Sequence, residues 1–188
     1  MARECFSSKP KRRLAVITCM DCRLVGLLED ILGIETGDAV IIKNAGNTLV
    51  PHVGWDVLRS LLVAVYKLDV TTIFVIGHDD CGMEGMKVAE LLENMAQRGI
   101  PATEREYILQ MTGNMGSYES AEENVHDVCN QLKNSNLFPD VEILGGIVKL
   151  ATRELKVVSS VPNMVTQIPG LLERQISPIV ASKTGAPE

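Results

Sequence analysis

Residues 14–23 read Leu-Ala-Val-Ile-Thr-Cys-Met-Asp-Cys-Arg, and residues 72–82 read Thr-Ile-Phe-Val-Ile-Gly-His-Asp-Asp-Cys-Gly. In both stretches an apolar, β-branched run that is typical of a buried strand leads directly into side chains that bind metals. In a parallel α/β sheet the carboxyl ends of the strands share one edge, and ligands bind where the strand order reverses. Two neighbouring strands at that point would bring Cys19, His78 and Cys81 together.

The rest of the chain alternates strand and helix patterns, which predicts an α/β fold with a mostly parallel sheet and flanking helices. Short connections and right-handed crossovers favour a four-stranded core in the order 2-1-3-4, which makes the two strands above neighbours. The other strands are predicted at 39–42 and 141–150, with 155–159 as a possible antiparallel edge strand, and the helices at 24–32, 55–68, 83–98, 104–111 and 120–133.

The length of 188 residues predicts a single domain over 1–188, with a solvated or lightly docked basic arm at 1–13 and a surface tail at 161–188. A net charge of −6 argues against nucleic acid or an anionic membrane as a partner. No apolar run approaches the ~18 residues of a transmembrane helix, and no signal peptide is recognisable, so we expect a cytoplasmic protein. In a reducing compartment the five cysteines would be metal ligands, a redox pair or buried thiols.

Two thiolates and an imidazole suit zinc better than other common metals. Zinc takes four ligands, and the spacing leaves the fourth open. Water would make a catalytic site, Asp21 a closed site that could open, and Cys22 a structural site with three cysteines and one histidine. A redox pair formed by Cys19 and Cys22 is a further alternative, but it would leave His78 and Cys81 without a role.

Asp21 and Arg23 favour the catalytic interpretation. A guanidinium beside a carboxylate can form a bidentate pair, which would keep Asp21 ionised and away from the metal. Asp21 would then accept a hydrogen bond from zinc-bound water and orient it. Two other acidic residues, Asp79 and Asp80, are expected to support the ligands rather than bind the metal.

At these residues the sequence resembles the β-class carbonic anhydrases. That family pairs a C-x-D-S-R motif with G-H-x-x-C-G and carries N-A-G between them. The corresponding segments here are residues 19–23, 77–82 and 44–46, and the positions that also fit are Arg59, Ser60, 123–125 and 137–139. The resemblance covers roughly residues 14–159.

The resemblance implies zinc on Cys19, His78 and Cys81, with Asp21 and Arg23 as a catalytic dyad. It implies reversible hydration of carbon dioxide to bicarbonate and a proton through zinc-bound hydroxide. Asp21 would be a fourth ligand in a closed state. The resemblance also places the Gly46 backbone near the substrate pocket. It further implies a homodimer or a dimer of dimers, in which the helix at 55–68 and the chain arms would be natural burial surfaces.

Two features depart from the family pattern. Cys22 stands where the family usually has Ser, and the stretch 48–56 looks longer than in compact members. Two other functions therefore stay open beside carbon dioxide hydration. One is hydrolysis of carbonyl sulfide or carbon disulfide on the same zinc site, and the other is a non-catalytic, zinc-stabilised binding protein with a closed site.

Overall fold

A computed structural model describes residues 7–50 and 54–158 of the chain. Its sheet has five strands in the order β2-β1-β3-β4-β5. The first four strands run parallel, and β5 pairs antiparallel with β4 at the edge. Both the predicted order 2-1-3-4 and the antiparallel edge strand are therefore confirmed. The strands are β1 (Leu14–Cys19), β2 (Ala39–Asn44), β3 (Thr72–His78), β4 (Glu142–Lys149) and β5 (Glu154–Val158).

Five α-helices connect or flank these strands: α1 (Leu27–Leu32), α2 (Trp55–Tyr66), α3 (Val88–Gln97), α4 (Ala102–Thr112) and α5 (Ala121–Asn134). Short 3₁₀ turns follow β1 at Cys22–Leu24 and β2 at Ala45–Asn47. The α5 helix begins as its sequence predicts, because the Ser120 hydroxyl accepts a hydrogen bond from the Glu123 backbone N–H at 3.3 Å. None of the helices that the structure describes has the length and apolar character needed to span a lipid bilayer.

Two helix starts differ from the prediction. The helix predicted from residue 24 begins only at Leu27, because Gly26 has a φ of +76° and interrupts the helical path. The helix predicted over 83–98 begins at Val88. The preceding residues form a turn in which Gly85 has a φ of +64° and donates its N–H to the Tyr118 carbonyl at 2.8 Å. A contact with a distant segment thus replaces the first turn of the predicted helix.

The core lies on both faces of the sheet, and every residue of β1 and β3 is buried. On one face the strands pack against α2 and α5, and on the other against α1. Burial of apolar surface on two faces is the main stabilising contribution available to a central parallel strand. The carboxyl ends of β1 and β3 are therefore held rigidly side by side, and they carry the residues of interest.

Most residues in the described part of the N-terminal arm, residues 7–13, are exposed, and Arg12 ties this segment to the domain. Arg12 donates from Nε to Asp38 Oδ2 at 3.0 Å and from Nη1 to the Leu32 carbonyl at 3.1 Å. The remainder of the predicted arm and the predicted tail at 161–188 lie outside the described residues.

Candidate metal centre

The structure brings the three predicted metal ligands together. Cys19 ends β1, His78 ends β3, and Cys81 lies in the turn that follows. Their exposed fractions are 4%, 0% and 5%, and the ligand atoms all lie within 4.8 Å of one another. Because β1 and β3 are parallel neighbours, the site is a direct product of the strand order.

The geometry of this group fits a tetrahedral zinc ion. Two sulfur ligands at about 2.3 Å from such an ion lie roughly 3.8 Å apart, and the Sγ atoms of Cys19 and Cys81 are separated by 3.8 Å. The Nε2 atom of His78 is buried and has no hydrogen-bond partner among the described residues. A buried nitrogen without a partner is costly, and a metal ion between it and the two sulfurs would satisfy it.

Asp79 orients the histidine ligand. Its backbone carbonyl lies 2.8 Å from Nδ1 of His78. A carbonyl only accepts hydrogen bonds, so Nδ1 carries the proton and the lone pair of Nε2 faces the ligand group. The Asp79 carboxylate accepts from the Leu150 N–H at 2.9 Å, and the Asp79 N–H donates to the Val148 carbonyl at 3.1 Å. Asp79 thus fastens the ligand turn to the end of β4, in the supporting role that the sequence predicts.

The two thiols hydrogen-bond to each other, and this contact shifts their pKa values in opposite directions. Hydrogen bonding to Cys81 and burial raise the pKa of Cys19, whereas hydrogen bonding from Cys19 lowers the pKa of Cys81. Burial is the largest single effect on His78 and opposes its protonation, but the Cys81 sulfur, the Asp79 carbonyl and Asp21 together raise its pKa. The site therefore concentrates negative charge, which favours a cation.

Asp21 and Arg23 form the predicted bidentate ion pair. Arg23 donates from Nε to Asp21 Oδ1 at 3.0 Å and from Nη2 to Oδ2 at 2.8 Å. The other side of the guanidinium is held by Asp80, whose carboxylate and carbonyl accept at 2.6 Å and 2.7 Å. Hydrogen bonding from Arg23 is the main reason that the pKa of Asp21 is lowered to about 2. Asp21 is thus ionised at every pH near neutrality.

Asp21 lies at the edge of the ligand group. Its Oδ2 atom is 3.8 Å from Nε2 of His78, and its side chain is 15% exposed. Because Arg23 holds both carboxylate oxygens, Asp21 does not join the cluster of three ligand atoms in the described residues. A small molecule that reached the metal position would meet this carboxylate.

Comparison with known proteins identifies the family. A family profile described as carbonic anhydrase matches residues 14–159, which include every residue of the site. Isoform I of the β-carbonic anhydrase from Trichomonas vaginalis has a similar structure, with a TM-score of 0.74 and 29% sequence identity over 81% of this chain and 85% of that one. The chain belongs to the β-carbonic anhydrase family.

Relatives of this β-carbonic anhydrase family member include proteins that are named for two different enzyme activities. YvdA of Bacillus subtilis, named as a candidate carbonic anhydrase, is 36% identical over 154 residues, which cover 79% of this chain and 78% of YvdA. A carbon disulfide hydrolase of Acidianus sp. is 37% identical over 93 residues, which cover 50% of this chain and 43% of that enzyme.

The N-A-G turn of this family member also reaches the site. Gly46 has a φ of +68°, and a Cβ atom there would lie 2.9 Å from Met83 Cγ and 3.0 Å from Tyr118 Cε1. A side chain at this position would therefore be both strained and blocked. Hydrogen bonding from the Gly46 backbone lowers the pKa of Cys19, although its effect is smaller than those of Cys81 and burial. Gly46 thus supports the ligand group directly.

Asn124, a residue given no role of its own from the sequence, fixes this turn. It lies on α5, is 6% exposed, and donates from Nδ2 to the Gly46 carbonyl at 2.9 Å. The two residues are 78 positions apart in the chain. Asn124 lies in the segment 123–125, which fits the family pattern. That pattern does not indicate which group the Asn124 side chain contacts.

Tyr118 is a second residue that the sequence interpretation missed. Its ring packs with Cys19 and Cys81 in the core cluster on the α1 face of the sheet. Its hydroxyl is buried and makes no hydrogen bond of ordinary geometry among the described residues. Burial and then the nearby Cys81 sulfur raise the pKa of Tyr118. No periodicity or motif marks Tyr118 in the sequence, because its contacts come from the turn after Cys81.

Cys22 does not join the ligand group. Its side chain is exposed, whereas the three ligands are buried, and the described cluster contains only Cys19, His78 and Cys81. The Cys22 position thus gives no support to a site with three cysteine ligands in this conformation.

Proposed function

We propose that this protein catalyses the reversible hydration of carbon dioxide to bicarbonate and a proton, with zinc bound by Cys19, His78 and Cys81. The observation that carries the proposal is the placement of the ionised Asp21 carboxylate 3.8 Å from the free nitrogen of His78. A structural zinc site needs no such carboxylate, and it needs no guanidinium to hold that carboxylate off the metal. Membership of the carbonic anhydrase family supports the same reaction.

The metal would supply Lewis acidity, which lowers the pKa of a water molecule at the site to ~7. Asp21 accepts a hydrogen bond from the attacking water and aims its oxygen at the carbon of the substrate. Asp21 does not take up the proton at neutral pH, because Arg23 holds its pKa far below that range. Net hydration releases that proton to solvent or buffer. Arg23 keeps the carboxylate turned to the site.

The residues around the metal position are suited to a small apolar substrate. The site is enclosed by β1, β3 and the turn containing Gly46, and Met83 and Tyr118 pack over that turn. We propose that the Gly46 backbone borders the substrate position, as the family resemblance implies.

Hydrolysis of carbon disulfide or carbonyl sulfide is the second candidate function. It is favoured by the Acidianus relative, which is named a carbon disulfide hydrolase. Both molecules are linear and apolar, and attack by water at their central carbon would use the same Asp21 and Arg23. The two functions therefore differ in which substrate reaches the site, not in the groups that act on it.

Stopped-flow measurement of carbon dioxide hydration by the zinc-loaded protein tests the proposal, with parallel assays on carbon disulfide and carbonyl sulfide. We expect buffer-dependent turnover of carbon dioxide that increases with pH and falls by about two orders of magnitude in Asp21→Asn, because the attacking water loses the charged acceptor that orients it. Asp140→Asn, an exposed change before β4, is the matched control and should retain full activity. Turnover of only the sulfur compounds would select the second function.

We also propose that the protein is a homodimer that buries the outer surface of α2. This surface exposes Trp55 at 66%, Val63 at 44% and Tyr66 at 64%. The sequence predicts α2 to be packed on two sides. In the described residues, the side that carries these three side chains is exposed. An exposed apolar patch of this kind typically marks an interface.

A cytoplasmic location is part of the same proposal. The four described cysteines are free thiols, and a reducing compartment would keep Cys19 and Cys81 available as ligands.

A further inference from the structure

We propose that Tyr118 is a positioning residue of the metal centre, and that its hydroxyl donates a hydrogen bond to the Cys81 thiolate when the metal is bound. The inference rests on the metal-site part of the proposed function, but not on the identity of the substrate. It gives a role to a buried polar group that the proposed reaction does not otherwise use.

The backbone of Tyr118 is fastened to the turn that carries Cys81. Gly85 donates its N–H to the Tyr118 carbonyl at 2.8 Å, and Tyr118 donates its own N–H to the Met83 carbonyl at 3.4 Å. A β-bridge joins Glu84 to Tyr118. The position of Tyr118 is therefore tied to the ligand turn and not only to α5, which begins three residues later.

The ring of Tyr118 contacts both the turn at Gly46 and the core cluster that contains Cys19 and Cys81. On one side it closes over Gly46, where a Cβ atom would come within 3.0 Å of Cε1. It also packs in the cluster that contains both cysteine ligands. This packing leaves the ring little freedom to turn, so the hydroxyl keeps a fixed direction within the cluster that contains Cys81.

In the part of the chain that the structure describes, the Tyr118 hydroxyl lacks a hydrogen-bond acceptor, and metal binding would provide one. It is buried and has no hydrogen bond of ordinary geometry among the described residues. The Cys81 sulfur lies 3.8 Å from Cys19 Sγ, and either thiol can donate to the other. Metal binding requires both sulfurs as thiolates, so Cys19 can no longer donate. A thiolate is a charged acceptor, for which a nearby neutral donor is well suited.

Tyr118→Phe tests this assignment, because it removes the hydroxyl and keeps the ring that packs over Gly46. We expect zinc affinity, measured by chelator competition, to fall by roughly tenfold or more, the range found when an outer-shell partner of a metal ligand is lost. In the Co²⁺-substituted protein, the sulfur-to-cobalt charge-transfer band should move to longer wavelength, because a thiolate that accepts no hydrogen bond gives up its electrons more readily. Urea unfolding of the metal-free variant should match the wild type.

Tyr107→Phe is the control, since Tyr107 lies on α4 with 59% of its surface exposed. It should change neither the zinc affinity nor the cobalt spectrum. Zinc affinity within twofold of the wild type in Tyr118→Phe would overturn the proposal, and so would weaker binding with an unmoved sulfur band. Neither readout uses turnover, so failure to hydrate carbon dioxide would overturn the proposed function and leave this result intact.

Discussion

Asp21 and Arg23 share a side-on contact in which two guanidinium nitrogens each lie within about 3 Å of a different carboxylate oxygen, at 3.0 Å and 2.8 Å. One residue separates them, and the 3₁₀ turn that begins at Cys22 gives them this geometry. The backbone N–H of Arg23 also donates to Asp21 Oδ1 at 2.8 Å. The carboxylate is therefore held by three donors of a single residue.

Arg23→Lys keeps the positive charge but cannot make the paired contact, because an ammonium is a point charge and not a planar fork. We expect carbon dioxide hydration to fall by about 10- to 100-fold, the equivalent of ~1.5–3 kcal/mol for a lost hydrogen bond to a charged group. Zinc content, measured by atomic absorption, should not change. Full activity in this variant would contradict a positioning role for the arginine.

The pKa of Asp21 gives a direct test of the same contact. A carboxyl with a lowered pKa stabilises the fold above its ordinary pKa of ~3.9, and that contribution is lost as the pH falls through the folded-state pKa. A carboxyl ¹³C NMR titration of the metal-free protein should place Asp21 at about 2. In Arg23→Gln the midpoint should rise towards the ordinary value. An unmoved midpoint would show that another group depresses the pKa.

Cys22→Ser distinguishes the ligand set. Cys22 is exposed and lies outside the cluster of three ligand atoms, so this variant should bind one zinc per chain with wild-type affinity. Cys19→Ser removes a ligand and should lose most zinc binding. The zinc-dependent increase in thermal unfolding temperature should persist in the first variant and disappear in the second, because only ligand binding to the folded state shifts the equilibrium. A zinc deficit in Cys22→Ser would restore the alternative with three cysteine ligands.

Asn124→Ala should destabilise the protein by ~1–3 kcal/mol, because it leaves the buried Gly46 carbonyl without its donor. Urea unfolding of the metal-free protein measures this loss. Asn130→Ala lies on the same helix with an exposed side chain, and it should change the unfolding free energy by less than ~0.5 kcal/mol. Equal effects of the two changes would mean that Asn124 contributes only through helix propensity.

Val63→Glu tests the proposed dimer by placing a charge in the exposed apolar surface of α2. Sedimentation velocity should give a dimer for the wild type and a monomer for the variant, since a stable interface buries roughly 1,000 Å² or more and does not tolerate an unpaired charge at its centre. Tyr107→Glu on α4 is the control and should remain dimeric. A monomeric wild type would contradict the dimer proposal without affecting the metal site.

The fold and the grouping of Cys19, His78 and Cys81 could be predicted because their signals are local. Buried parallel strands are continuous apolar runs, and a right-handed crossover leaves few possible orders, so the positions of Cys19 and His78 follow from two short segments. The pairing of Asp21 with Arg23 is also local, because one residue separates them.

The parts that could not be predicted depend on contacts between distant segments. The helix expected from residue 83 starts at Val88, because the residues before it pair with Tyr118 instead of forming a helical turn. Asn124 and Gly46 lie 78 positions apart in the chain, and nothing in either segment indicates that the two residues are in contact. The docking of Arg12 on Asp38 likewise depends on where two loops meet.

The candidate ligands Cys19 and Cys81 lie 62 positions apart in the chain, and the pairing of β3 beside β1 brings them together. Metal capture by all three residues therefore waits until synthesis has passed Cys81, since no shorter nascent segment holds the complete set. Metal would then be bound only by chains in which β1 and β3 have already paired. Cells starved of zinc during synthesis should accumulate folded but unloaded protein, and this protein could be activated afterwards without being made again.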